Sequence, residues 1–233
     1  MNDDDVPVLF TAWGTPVRVR PVVLANLAGL WVGLSWLASR RHPAWRLGRR
    51  LIAGAASALA LLSADLGHAV AHIVSANWAG APMDYVLVSA GMPRTVYLDD
   101  EVSPQAHRRR AMGGPILNGV GFLVSLVLRT LAPRSSVPRE VLDWSCLGHG
   151  LLLLGSLAPL PMVDGGSLLK WTLVERGRSP EQADAVVRQA GLGLGAGAAA
   201  AGLALAARRR WLPAVSLLAG TAFVVAVSLD RSR

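Results

Sequence analysis

One apolar stretch, residues 51–76, carries three ionisable side chains: Asp65, His68 and His72. Such groups are costly inside a bilayer and are read first as functional. On a helix turning about 100° per residue, His68 and His72 lie about 40° apart and one turn from each other. That spacing lets two imidazoles grip one metal ion. Asp65 shares the face at about 60°, displaced about 4.5 Å along the axis from His68. A third candidate ligand is Asp164, in Leu160-Pro161-Met162-Val163-Asp164-Gly165-Gly166. There Pro and Gly break a helix and free backbone groups to line a cavity. Plainer roles stand beside these: a histidine packing pair, an ordinary turn at Asp164, and Asp65 as the ion-pair partner of Arg129. Asp65 could equally accept the second ring N–H of His68. His149 precedes Asp164 by about 22 Å on a straight helix and is a poor fourth ligand. His42 and His107 lie among arginines, in stretches expected to be solvated loops.

The elements that must hold these residues follow from composition. Of 233 residues, 52% are hydrophobic and only 16% are charged, with mean hydropathy +0.42. Soluble domains carry about 25% charged residues, so water-facing surface is in short supply. The net charge of +8 suggests a nucleic-acid partner, but a soluble basic domain would not tolerate so many long apolar runs, and none is expected. Cys146 is the single cysteine, which excludes a disulfide scaffold. Arginines cluster beside apolar segments, at Arg40, Arg41, Arg46, Arg49 and Arg50, at Arg108 to Arg110, and at Arg208 to Arg210. There they can anchor to lipid phosphates, making membrane lipids the expected partners. The acidic start, Met1-Asn2-Asp3-Asp4-Asp5, lacks the basic region of a secretory signal.

A helix needs about 20 apolar residues to cross a bilayer. Six stretches are candidates: 22–38, 51–76, 115–133, 141–163, 190–207 and 211–229. The expected fold is an all-α integral membrane bundle, a single domain over 1–233. A small membrane-surface hairpin is expected at 85–98, after the second helix, around Ala90-Gly91-Met92-Pro93. Ser179-Pro180-Glu181 reads as a helix start, leading a polar amphipathic segment to Gln189. Gly191 to Ala207 is almost wholly Gly, Ala and Leu, which permits close helix packing. Lys and Arg divide almost evenly between the two sides of such a bundle, so charge does not set its orientation.

Taken together, these motifs resemble the site-2 protease family of intramembrane zinc metalloproteases. The family's short segment before its first helix is matched by Trp13 to Pro21. Its HExxH motif is matched by His68-Ala69-Val70-Ala71-His72. Its small-Gly-Pro-x-x-Asn motif, which starts the next helix, is matched by Gly113-Gly114-Pro115-Ile116-Leu117-Asn118, and its Asp-Gly-Gly by Asp164-Gly165-Gly166. A second register, in which Ala64-Asp65-Leu66-Gly67-His68 stands for HELGH, is disfavoured because the Gly expected eight residues on is met by Gly80 after His72 but by Ala76 after His68.

The resemblance implies one zinc per chain held by His68, His72 and Asp164, with the fourth position open. It places Asn118 and Ser156 among substrate-contacting positions, Ser156 standing where the family usually has Asn. It also implies single-span membrane proteins as substrates or clients, and a bacterial inner membrane as the setting. Ala69 replaces the Glu that activates water, and such acid–base help is worth about 10²–10⁴ in rate. The preferred expectation is a non-proteolytic homologue that binds transmembrane helices. One alternative is an active protease with Asp65 or another group as base. The other is a metal-free structural or proton-handling membrane protein.

Overall fold

A computed structural model describes residues 3–90, 93–98 and 101–229. The apolar stretches fold as helices because their Leu, Ala and Val runs satisfy every backbone group within one segment. The helices are α1 (Val22–Arg41), α2 (Leu47–Trp78), α3 (Pro104–Leu131), α4 (Val137–Ser156), α5 (Asp164–Glu175), α6 (Pro180–Ala207) and α7 (Trp211–Leu229). Four short strands accompany them: β1 (Val8–Ala12), β2 (Thr15–Val19), β3 (Tyr85–Val88) and β4 (Arg94–Val96). The chain divides into two compact units. The first holds residues 1–102 and 112–155, the second 103–111 and 156–233, so α3 contributes to both.

In the first unit the strands form one sheet in the order β1-β2-β3-β4. The β1–β2 and β3–β4 pairs are antiparallel, and β2 runs parallel to β3 with Val17 opposite Val86. The expected hairpin is therefore present as β3–β4, with Gly91 and Met92 of its turn outside the described residues. It is half of a larger sheet. The other half, β1–β2, precedes α1, in the segment read from sequence only as a lead-in. The sheet packs on one stripe of α2: Val17, Met83, Val86 and Val88 close over Ala69, Ile73 and Ala76. Asp3 ties the sheet's ends together, accepting from Arg20, Tyr85 and Arg94. The Arg20 guanidinium holds the Asp3 carboxyl below the usual carboxylate range.

The same unit joins α1 to α4 through charge. Glu140, 2% exposed, accepts from Arg41 at 2.8 Å and from the Trp144 indole at 2.9 Å, and its other oxygen lies 3.0 Å from His42 Nε2. His42 also stacks on Trp45, so it is not the solvated loop residue the sequence suggests. Arg129 pairs with Asp143 at 2.9 Å, not with Asp65.

In the second unit, Ser179 caps α6 through a reciprocal pair of hydrogen bonds with Gln182, as the Ser-Pro-Glu start predicts. The glycines of α6 divide by face. At Gly191, Gly195 and Gly202 an added Cβ would press on Ser228, Val225 and Leu218 of α7, whereas Gly193 and Gly197 have open space. The first two turns of α3 pack here too: His107 stacks on Trp171 with ring centroids 3.7 Å apart, and Arg108 pairs with Glu175. His107 is buried, again not solvated.

Among the described residues, seven α-helices stand where six were expected, and five of them (α1, α2, α3, α6 and α7) are long and apolar enough to cross a bilayer. The stretch 141–163 is the one that changes most. Its helix, α4, starts earlier with Arg139, Glu140 and Asp143 in its first two turns, and stops at Ser156. Pro159 and Pro161, which cannot donate a backbone hydrogen bond, follow before α5 begins. Helix α3 starts eleven residues ahead of the expected 115, so Gly113-Gly114-Pro115 lies inside it rather than at its start.

Candidate metal centre

The period of α2 separates two tasks. Residues 69, 73 and 76 face the sheet, and the neighbouring stripe presents His68 and His72, both buried. Their Nε2 atoms lie 3.0 Å apart, with ring centroids 4.7 Å apart and planes at 75°. At that distance one Nε2 donates to the other, and the pair forms a buried polar contact between successive turns of α2.

Helix α3 makes room for these rings with glycine. A Cβ on Gly113 would overlap the Ala71 carbonyl, and one on Gly114 would overlap the His68 ring. One turn on, Asn118 is fully buried. Its Nδ2 donates to His68 Nδ1 at 2.7 Å, and its Oδ1 accepts from His149 Nδ1 at 2.8 Å. One further turn along, Gly121 faces the His149 ring as Gly114 faces His68. Asn118, expected among the substrate contacts, thus has both ends of its amide engaged by imidazoles. His149, set aside as a ligand on distance along the helix, is one residue removed from His68. Three helices bring these residues together across 31 and 50 positions of sequence, which no local pattern reveals.

Asp164 belongs to the second unit and opens α5, with Val163 extended ahead of it. The two glycines that follow serve close backbone approach. A Cβ on Gly165 would overlap the Leu157 carbonyl, and one on Gly166 the Leu160 carbonyl. The turn before α5 also holds Met162 at φ +66°, a conformation rarely adopted by L residues. The Asp-Gly-Gly signal is therefore a tightly folded strap that fixes where the carboxylate leaves the chain. Ser156 is buried at the end of α4.

Asp65 remains half-buried on α2, one turn before His68 and on the far side of it from His72. The nitrogen it was expected to receive, His68 Nδ1, is held by Asn118 instead. Ala69 is 3% exposed and packed among Val17, Ile73, Val86 and Val88.

No family model matches the chain, and no curated protein matches it by sequence. Its structure is matched by the site-2 protease from Methanocaldococcus jannaschii, at a TM-score of 0.58 and 16% sequence identity, over 98% of this chain and 95% of that one. From end to end, the chain is similar in fold to a site-2 protease.

Proposed function

We propose that this chain is an integral membrane, zinc-binding protein that engages transmembrane helices without cleaving them. The observation that carries the reading is the buried pair of imidazole nitrogens 3.0 Å apart, beside a packed alanine at the position of the missing base. The donor set supports zinc. His68 and His72 pair on α2, and Asp164 is the third ligand that the resemblance implies. Two neutral imidazoles and one carboxylate are a normal zinc environment, leaving a position for water or a carbonyl.

When bound, zinc supplies Lewis acidity to a coordinated oxygen. The chain's own residues do the rest. His68 and His72 would hold the ion, Asn118 contacts the His68 ring, and the glycines of α3 let the helices approach closely. Nothing at position 69 can take a proton from water. Asp65, a turn away on the other side of His68, is out of place for that task. A single-span helix entering such a site would be held by its backbone and by lipid-facing surfaces, then released intact. The bacterial inner membrane is the setting we assign to it.

Elemental analysis of the detergent-purified chain tests the metal. About one zinc per chain, lost in His72→Ala, is expected; a metal-free wild type after zinc reconstitution would return the histidines to a packing or proton-handling role. A cleavage assay with a model transmembrane substrate tests the rest. Wild type is expected to leave the substrate intact, and zinc-loaded Ala69→Glu to do the same, because a side chain at 69 enters the packed cluster beneath the sheet. Cleavage by wild type that disappears in Asp65→Asn would instead establish an active protease.

A further inference from the structure

The amide of Asn118 has a direction, and that direction matters. With Nδ2 donating to His68 Nδ1, a neutral His68 ring must carry its proton on Nε2. That is the nitrogen facing His72 Nε2 at 3.0 Å. A metal ion takes a lone pair, so Nε2 cannot bind one while it holds the proton. In the arrangement observed, the lone pair of a neutral His68 lies on Nδ1, turned toward Asn118.

The other end of the amide supplies the means to change it. Asn118 Oδ1 accepts from His149 Nδ1 at 2.8 Å. Turned over, the amide would offer Oδ1 to His68 and Nδ2 to His149. His68 would then hold its proton on Nδ1, donating to Asn118, and present a free Nε2. His149 would hold its proton on Nε2 and accept on Nδ1. Each ring keeps one proton throughout, so the change needs no net uptake or release. The surroundings suit this exchange: Gly114 and Gly121 flank Asn118 one turn either way, and a Cβ at either would overlap the His68 or His149 ring. Each ring packs closely against a glycine, and the amide between them makes one hydrogen bond to each.

We propose that Asn118 and His149 are positioning residues for the metal centre: the Asn118 amide reverses when His68 takes up zinc, and the His149 ring changes tautomer to match it. The inference rests on the zinc reading given above. Metal-bound histidines are commonly held through their second nitrogen by a carboxylate or carbonyl oxygen, and losing that partner costs about 10–100-fold in metal affinity. Here the partner is an amide oxygen whose availability depends on a third residue, His149, on another helix.

The test uses the full chain in detergent, with zinc affinity measured by competition against a chromophoric chelator. Asn118→Leu is expected to weaken zinc binding by about 10–100-fold, and His149→Phe, which removes one hydrogen bond from either orientation of the amide, to weaken it less. Asn118→Asp, which offers an acceptor to His68 whichever way it turns, is expected to keep wild-type affinity within a few-fold. In that background His149→Phe should add no further loss. Nitrogen-15 spectra of the histidine rings give a readout independent of folding: the His68 proton is expected on Nε2 without zinc and on Nδ1 with it. Affinity unchanged in both Asn118→Leu and His149→Phe, or a zinc-loaded His68 with no proton on Nδ1, overturns the inference while leaving the zinc site standing. A wild type that takes up no zinc overturns both.

Discussion

Ala69 follows a metal-ligand candidate directly yet belongs to a different environment. It lies beneath the sheet with Val17, Met83, Val86 and Val88, while His68 lies against α3. A carboxylate placed there would enter a dry cluster. Removing a charge from water without a partner costs several kcal/mol. Ala69→Glu is expected to lower stability by about 3 kcal/mol while keeping one zinc per chain, as read by denaturant unfolding and metal analysis of the same sample. Undiminished stability would mean that position 69 opens onto polar space after all. The His pair was legible because two histidines four apart in an apolar run have few readings. The link through Asn118 to His149 was not, because it depends on which faces of three helices meet. The expected pairing of Asp65 with Arg129 failed for the same reason: Asp143 on α4 is the residue that reaches the arginine.

At the scale of elements, apolar runs located the helices and misjudged their ends. Hydropathy truncated α3 at its apolar part, although the Arg-rich turns ahead of it are helical and packed through His107 and Arg108. It also passed over β1 and β2, since their place beside β3 is set by a parallel pairing about 70 residues away in sequence, and strands that short carry little pattern of their own. The glycines of α6 show what composition leaves undecided. A run of Gly and Ala suits close packing and low-complexity drift equally, but only one face, Gly191, Gly195 and Gly202, meets α7. Gly195→Leu is expected to destabilise the α6–α7 pair by about 1–3 kcal/mol, the usual cost of overpacking. Gly193→Leu, with nothing within 4 Å of its Cβ, is expected to be neutral. Unfolding in detergent, followed by a probe placed on α7, separates the two. Equal effects would show that the stripe has no packing role.

For the molecule as a whole, the shortage of charge and the surplus of outward apolar side chains are one fact. Leu24 and Val32 on α1, and Leu212, Val215 and Phe223 on α7, are all more than half exposed. Contiguous apolar surface on that scale is not stable against water and marks a lipid-facing or partner-facing exterior. The tryptophans agree: Trp78 closes α2 and Trp211 opens α7, both largely exposed, at helix ends where amphipathic rings settle at the headgroup level. Part of the charge is drawn into pairs, such as Glu140 with Arg41 and His42, while Arg208 to Arg210 stay exposed after α6. Exposed apolar helix faces of this kind hold a chain in lipid by burial, which salt and alkali do not reverse. Washing membranes at alkaline pH and high salt, which strips peripheral proteins, is therefore expected to leave it wholly in the pellet. A mild detergent should extract it folded, with His72→Ala behaving identically because the histidine pair is not what holds the helices in lipid. Release by the alkaline wash would mean that these apolar faces are covered by another protein and not by the bilayer.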